Sequence, residues 1–288
     1  MHCHNNTSPV SILMALFDRQ LATGIQPQKS FVKQLASEYK EYLDEWEYMD
    51  VIFKTIEEWL ESHEDWSRSK KAKYRAEITK QLTMLMQKGY MRNEFELMVK
   101  NLEMYYSFGA DRAGDVIRGV SDRARPIMSP NVTLCGVITW LQHIIFQTCK
   151  ANNPSFVHGE NSQDFWARTV DDVMALEDPV CFSLDGSSHD SHQHWSLIDA
   201  IVIPLWEKHE HLVKQCLTMH GAQNPDELWD EIMRVVRNRT AKINVFGPRH
   251  NFYGSVKIKG TVFSGSSYLT TLYNTESVNA CLKMLCRL

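Results

Sequence analysis

The sequence lacks the features that mark membrane, secreted and repeat proteins. Its longest apolar stretch, near residues 132–146, is interrupted by Thr139, Gln142 and His143 and is too short to span a bilayer. The first residues, MHCHNNTSP, have neither the basic nor the apolar region of a signal peptide. No internal repeat or low-complexity tract stands out. These absences predict a globular chain without a transmembrane segment.

Paired cysteine motifs and a strong net charge are also missing. Seven cysteines are spread over 288 residues, and none forms a C-x-x-C pair, which indicates reduced thiols in an intracellular protein. The formal net charge is only −4, so any nucleic-acid site must be built from local basic clusters. Hydrophobic residues make up 43% and charged residues 23%, which is typical of a folded protein with one large domain or two smaller ones.

The N-terminal part of the chain predicts helices. Between Ser30 and Trp66, apolar residues recur near helical spacing on an acidic background, which indicates a packed helical face. Residues 67–92 carry eight lysines and arginines against a single acidic residue, Glu77. This basic segment predicts either a solvated helix face or a surface that contacts phosphates.

The rest of the chain predicts helices mixed with short strands, and therefore an α+β fold. Residues 109–131, rich in glycine and proline, indicate a loop or an irregular hairpin. The other predicted elements are a buried helix (Val132–Cys149), an amphipathic helix (Asn161–Leu176), a strand (Val180–Leu184), a helix from Trp195 with Pro204 as its kink or end, two strands (Lys242–Phe246 and Val256–Ile258) and a buried helix (Leu269–Leu285).

One constellation with chemical meaning follows the predicted strand Val180–Leu184. The strand leads into Asp185, and Asp190 comes five residues later. Carboxylates placed in this way can hold hard divalent cations, and nucleotidyl transfer uses two Mg²⁺ ions about 4 Å apart to clamp the attacking and leaving oxygens. The spacing alone is common, and Asp190 could instead cap the N-terminus of a helix.

A second constellation lies in residues 260–275. A loop of small residues containing Ser264 and Gly265 leads into a helix that carries Thr270 and Asn274. Glycine lets the backbone approach a ligand closely, and the two polar side chains project from the first turns of the helix. The pattern Ser-Gly-x4-Thr-x3-Asn seldom arises by chance, although an ordinary capped helix start also explains it.

Together these segments resemble motifs A and B of viral RNA-dependent RNA polymerases. The segment from Asp178 to His192 is similar to the motif A region of tombusvirus-like and nodavirus-like polymerases, and residues 264–274 resemble motif B. A third segment resembles motif F, whose arginines lie over the nucleotide triphosphate in that family. This resemblance rests on Arg118, Arg123, Arg125 and Pro126-Ile127. The order F, A, B is the family's usual order, and the resemblance covers roughly residues 110–285.

The resemblance implies a right-hand polymerase fold. Residues 1–108 would form a helical fingers region, residues 109–179 the fingers with motif F, and residues 180–288 an incomplete palm with a small antiparallel sheet, without a thumb. The implied activity is template-directed RNA synthesis by a two-metal mechanism, with Mg²⁺ or Mn²⁺ as cofactor. The implied partners are template and product RNA, ribonucleoside triphosphates and other viral replication proteins, in the host cytoplasm at membrane-bound replication complexes.

The same resemblance assigns roles to individual residues. Asp185 would bind both catalytic metal ions, and the ribose 2′-OH would be hydrogen-bonded by Asp190 and Asn274, supported by Thr270. The triphosphate would be held by Arg123 and Arg125. Template or product RNA would contact Ser264, Gly265, Arg237, Arg239 and Lys242.

These roles carry two geometric expectations. Asp190 and Asn274 should approach within about 8 Å, because both must reach one hydroxyl. The basic residues between Arg234 and Lys242 should face the cleft that holds Asp185.

The sequence departs from the family pattern in three ways. Ser188-His189 replaces the family's Arg-Phe before the second aspartate, and motif B has one extra residue before Thr270. No Gly-Asp-Asp, the family's motif C, follows, so we expect that the chain stops before this motif and is inactive alone. Asp171-Asp172 could instead be a permuted motif C.

Three other interpretations remain open at this stage. A reverse transcriptase shares the palm but usually excludes the 2′-OH and lacks the motif B asparagine, so Asn274 argues against it. A non-catalytic RNA-binding fragment derived from a polymerase fits the missing motif C. A zinc site is conceivable at two groups of crowded histidines, namely His189, His192 and His194, and His2 and His4 around Cys3.

Overall fold

The computed structural model describes residues 26–47, 50–62, 68–87, 105–110, 126–130, 132–153, 162–178, 193–238, 240–246, 252–259 and 267–286. Within these ranges the chain forms nine helices and four strands, and the fold is α+β as predicted. In chain order the elements are α1 (Lys29–Asp44), α2 (Ile56–Glu61), α3 (Arg68–Gln87), β1 (Tyr105–Ala110), β2 (Pro126–Pro130), α4 (Val132–Asn152), α5 (Ser162–Met174), α6 (Trp195–Lys208), α7 (Glu210–Met219), α8 (Pro225–Arg237), β3 (Thr240–Phe246), β4 (Phe252–Lys259) and α9 (Ser267–Cys286).

The four strands form one mixed sheet in the order β2-β1-β3-β4. The pairs β1–β2 and β3–β4 are antiparallel, whereas β1 and β3 run parallel. As a result the strand ends Ala110, Pro126, Phe246 and Phe252 lie at the same end of the sheet. A parallel pair needs a long crossover, and here the chain between β1 and β3 includes β2 and helices α4 to α8.

Several predicted strands are confirmed by this sheet. Residues 109–131 were predicted to form a loop or an irregular hairpin, and the described ends of this segment pair antiparallel as parts of β1 and β2. The strands predicted at Lys242–Phe246 and Val256–Ile258 lie within β3 and β4. The strand predicted at Val180–Leu184, which we expected in a small antiparallel sheet, lies outside the described residues.

The helical body is built on contacts among α1, α4, α6 and α9. Its apolar side chains form one core, which also includes Ile243 and Val245 from β3. The largest completely buried side chains in the described part of the chain are Trp140, Trp206, Tyr39, Leu43 and Leu60. Complete burial of an aliphatic or aromatic side chain stabilises a fold by roughly 1.5–3 kcal/mol, so this core is the main source of stability.

The described residues of the connection between α1 and α2 lie outside helices and strands. Several of their backbone groups form hydrogen bonds with side chains of α4 instead. Asn152 bonds both backbone groups of Glu47, Gln147 does the same for Ile52, and Trp140 donates to the carbonyl of Lys54. These bonds, most of them at exposed positions, tie the irregular connection to α4 and so hold it against the helical body.

The helices predicted from periodicity are present, with corrected ends. Pro204 was predicted as a kink or end of the helix from Trp195, but α6 continues past it to Lys208, so it is not the end. Proline removes one backbone donor, and the surrounding apolar packing of α6 outweighs that loss. The basic segment after residue 67 forms α3, where Lys71 and Arg75 pair with Glu61 at the end of α2.

Helix α8 was not singled out from the sequence, although its signals are strong. Asn224 caps its N-terminus by accepting a hydrogen bond from the amide of Glu227, and Pro225 occupies the first turn. Acidic residues in the first turn and arginines in the last turn complement the helix dipole. This helix leads directly to β3 and so sets where the strand begins.

Candidate functional site

The structure describes only part of the predicted nucleotide and RNA site. Asn274 is exposed on α9, Arg237 is exposed at the end of α8, and Lys242 is exposed on β3. Thr270 lies in the first turn of α9, where only the backbone is described. The other predicted site residues lie outside the described residues, namely Asp185, Asp190, Arg123, Arg125, Arg239, Ser264 and Gly265.

The segment that resembles motif F is bracketed by paired strands. Residues 111–125, which include Arg123 and Arg125, connect β1 to β2, and Ala110 pairs with Pro126 at the base of this connection. Pro126 and Ile127, two residues of the resemblance, belong to β2 itself. The ends of β3 and β4 lie at the same end of the sheet, so the connection at residues 247–251, with Arg249 and His250, starts beside it.

A side-chain hydrogen bond joins the residue that follows the predicted motif A segment to a residue of the predicted motif B segment. The hydroxyl of Tyr273 donates to Oε1 of Gln193 over 2.6 Å. Gln193 follows Asp190 by three positions, and Tyr273 immediately precedes Asn274. Tyr273 is nearly completely buried, and this burial raises the pKa of its hydroxyl well above the ordinary value, so the hydroxyl stays protonated and can donate at neutral pH.

Helix α9 presents different chemistry on its two sides. Asn274 and Val278 face solvent, whereas Leu272, Tyr273, Glu276 and Ala280 are buried. The carbonyl of Asn274 accepts a hydrogen bond from the hydroxyl of Ser277 over 3.2 Å. The helix predicted at Leu269–Leu285 is therefore confirmed, but it is buried on one side only. Its exposed side carries the residue predicted to contact the ribose.

Glu276 is a carboxylate buried in the helical body. It is completely inaccessible to solvent and accepts hydrogen bonds from the hydroxyl of Tyr39 (2.9 Å) and from Nδ2 of Asn153 (2.8 Å). Burial raises its pKa above the usual value, while hydrogen bonds from Asn153, Tyr39 and the thiol of Cys149 lower it in part. These contacts tie α9 to α1 and to the end of α4, and so fix the helix that carries Asn274.

The sequence carries a signal for this buried carboxylate. Leu272, Glu276 and Ala280 recur every four residues, which puts the carboxylate in line with apolar residues on one face of α9. A charged residue on such a face is buried only with partners, so the spacing predicts hydrogen-bond donors around Glu276.

The described basic residues near β3 differ in their partners. Nη2 of Arg237 lies 2.7 Å from Oε1 of Glu207, and Nε of Arg234 lies 2.7 Å from Oε2 of Glu231. Both pairs are exposed, so each contributes little to stability and can be exchanged for another anion. Lys242 forms no ion pair among the described residues and projects from the exposed face of β3. Whether this group faces Asp185, as predicted, falls outside the described residues.

Of the two groups of crowded histidines, only His194 is among the described residues, and it has a structural role. His194 caps α6, because its Nδ1 accepts from the amide of Ser196 (3.2 Å) and lies 2.7 Å from its hydroxyl. His189, His192, His2 and His4 lie outside the described residues. Among the residues that are described, no group of three or more histidine, cysteine or acidic side chains is arranged to hold a metal ion. Asp171 and Asp172, the alternative motif C, are exposed on α5.

Comparisons with known proteins add no relative. No protein-family model matches the chain, and no curated protein matches it. Across the described ranges, no helix is both long enough and apolar enough to cross a membrane.

Proposed function

We propose that the chain is the fingers and part of the palm of a viral RNA-directed RNA polymerase. The observation that carries this proposal is the hydrogen bond between Gln193 and Tyr273. It joins two residues that are 80 positions apart and close in sequence to those proposed to bind one ribose: Gln193 lies three positions after Asp190, and Tyr273 is next to Asn274.

The reach of the chain makes this bond informative. Three residues span at most about 11 Å when fully extended, so Asp190 cannot lie far from Gln193. Asn274 is next to Tyr273 on an exposed part of α9. The hydrogen bond and the short reach of the chain therefore allow the two motif segments to share one nucleotide site.

The sheet gives separate support. In the proposed polymerase, an arginine-bearing hairpin must stand near the strands that lead into motif B. Of the two strands that bracket residues 111–125, β1 pairs with β3, and β4 leads within eight positions to Ser267 at the start of α9. The strands on either side of the segment that resembles motif F and the strand that precedes α9 thus belong to one sheet.

The proposed chemistry needs few groups, each of which suits its task. Asp185 offers hard oxygen ligands, which fit Mg²⁺ or Mn²⁺, and bound metal ions would activate the attacking hydroxyl and neutralise charge on the transferred phosphate. Arg123 and Arg125 would hold the triphosphate, and Asn274 with Asp190 would recognise the 2′-OH, supported by Thr270. Ser264, Gly265, Arg237, Arg239 and Lys242 would contact RNA.

A primer-extension assay tests this proposal. Ribonucleotide incorporation on an RNA template would be measured with this chain and with any longer, extended protein that its gene encodes. We expect incorporation to be abolished by Asp185→Ala, because the metal ions lose their main ligand. Asn274→Ala should mainly reduce the preference for ribonucleotides over deoxyribonucleotides.

Two results would contradict the proposal. If the extended protein contains a Gly-Asp-Asp but the Asp185→Ala variant synthesises RNA normally, Asp185 is not the metal ligand. If the extended protein binds RNA but never incorporates nucleotides, the chain is an RNA-binding protein without polymerase activity.

A further inference from the structure

The exposed face of the β3–β4 hairpin is chemically unlike the face that packs on the core. On the inner face, Ile243 and Val245 are almost completely buried, and Val256 packs against them. On the outer face, Asn244 pairs with Ser255, whose hydroxyl donates to Oδ1 of Asn244 over 2.6 Å. Apolar residues on the inner face therefore alternate with polar residues on the outer face, as expected for strands that are buried on one side.

Two lysines stand directly opposite each other on this outer face. Lys242 pairs with Lys257 in the strand register, and both are exposed. Like charges in directly opposed positions destabilise a strand pair. Neither ammonium group forms an ion pair with a carboxylate of the described residues. Among the described residues, the hairpin therefore places two positive charges side by side without a carboxylate partner, an arrangement that suits a surface that meets an anion.

Two aromatic side chains are exposed at the other end of β4. Phe252 is 58% exposed and Tyr253 is 40% exposed. They sit at an irregularity where Phe246 pairs with Phe252 but Val245 pairs with Gly254, so Tyr253 is the extra residue of a bulge. Gly254 has φ +153°, a conformation that residues with side chains rarely adopt, which shows that this bulge is built into the sequence.

We propose that this outer face binds single-stranded RNA as a surface separate from the nucleotide site. Bases would stack on Phe252 or Tyr253, and phosphates would contact Lys242 and Lys257. The distance along β4 from Phe252 to Lys257 is about 17 Å, enough for several nucleotides. Exposed aromatic rings beside positive charge are the usual elements of sequence-tolerant binding to single strands. The choice of RNA over DNA rests on the proposed polymerase function.

Equilibrium binding tests the surface without any catalysis. Fluorescence anisotropy would follow a labelled single-stranded RNA of about 12 nucleotides, a length suited to a site of this size, titrated with the 288-residue chain in EDTA and without nucleotides. Phe252→Ala and Tyr253→Ala should each weaken binding about 5-fold or more. Lys257→Ala should weaken it and reduce the slope of log affinity against log salt by about 0.7. Lys33→Ala, which removes an exposed lysine from α1, is the matched control and should leave both quantities unchanged.

Each outcome decides the matter. The four substituted side chains, those of Phe252, Tyr253, Lys257 and Lys33, are all exposed. Unchanged thermal melts will show that the variants fold normally. Loss of binding in the lysine variant but not in the aromatic variants would reduce the surface to a general anion site and overturn the proposal. Equal competition by double-stranded RNA would exclude stacking, and unchanged binding in every variant would indicate another partner, such as an acidic protein. A failure of nucleotide incorporation in the extended protein leaves these binding results intact, so the two proposals fail separately.

Discussion

The helical body and the outer face of the β3–β4 hairpin differ in how their charged side chains are paired. In the helical body, the buried carboxylate of Glu276 is enclosed by donors from two other helices, and the surface carboxylate of Glu45 meets the ammonium of Lys283 over 3.0 Å. On the hairpin, two lysines face each other and form no ion pair among the described residues. Glu276 is paired within the chain, whereas the two lysines of the hairpin have no carboxylate partner among the described residues.

The difference shows where stability and binding are separated in this molecule. Polar groups that are buried must be paired, since an unsatisfied buried donor or acceptor costs about 1–3 kcal/mol. Exposed like charges cost far less, so they can persist where binding needs them. Substitutions in the two regions should therefore have opposite signs or very different sizes, and three measurements can establish this.

The largest effect is expected for Glu276→Ala. The change leaves the Tyr39 hydroxyl and the Asn153 amide without their acceptor in the core, and should lower the free energy of unfolding by about 3 kcal/mol or more. Urea denaturation at pH 7 would measure it. The control is Glu45→Ala, which removes an exposed carboxylate that joins the same two helices, α1 and α9, and should cost less than about 1 kcal/mol. Equal effects would show that the buried contacts carry no special weight.

An intermediate effect is expected from pH through His209. Burial, and to a smaller extent the charges of His211 and Lys208, lower its pKa to about 4, although a bond to the Leu205 carbonyl opposes this. The folded pKa lies below the unfolded value, so the stabilisation is complete above about pH 6.5 and is lost as the pH falls towards 4. Between pH 7 and pH 5 this should amount to a loss of about 2 kcal/mol.

The pH effect of Glu276 has the opposite sign and must be separated from that of His209. Because burial raises the folded pKa of Glu276, its linked stability is complete below the unfolded pKa and is lost as the pH rises. The contribution of His209 to the pH dependence of stability is isolated by comparing the native chain with the His209→Asn variant. Asparagine keeps a donor for the Leu205 carbonyl. Parallel pH curves for the two proteins would show that folding leaves the pKa of His209 unchanged.

The smallest effect, with the opposite sign, is expected for Lys257→Thr. Threonine suits a strand and removes the repulsion with Lys242, so the free energy of unfolding should rise by a few tenths of a kcal/mol. Differential denaturation against the Lys33→Ala variant would detect it. A loss of stability here would mean that the lysine pair already has a partner within the chain, and would weaken the contrast between the two regions.

The sequence predicted helices and strands well where periodicity was long and local. The helix that begins at Val132 and the strands at Lys242–Phe246 and Val256–Ile258 are present because apolar spacing and burial agree there. It did not predict that β1 pairs parallel with β3, since pairing between segments more than a hundred positions apart leaves no local pattern. For the candidate site, the exposure of Asn274 on a helix followed from the motif, whereas the bonds of Gln193 and Glu276 depend on tertiary packing.

The bond from Tyr39 to Glu276 has a consequence for the order in which the protein assembles. Its partners are separated by 237 positions. A ribosome adds about 5–20 residues per second, so α1 waits roughly 10–50 s after its synthesis before α9 can supply the carboxylate. During that interval the apolar side of α1, with Tyr39 and Leu43, has only the earlier helices to cover it. We therefore expect nascent chains that stop before residue 267 to depend on chaperones, and release from them to coincide with the emergence of α9.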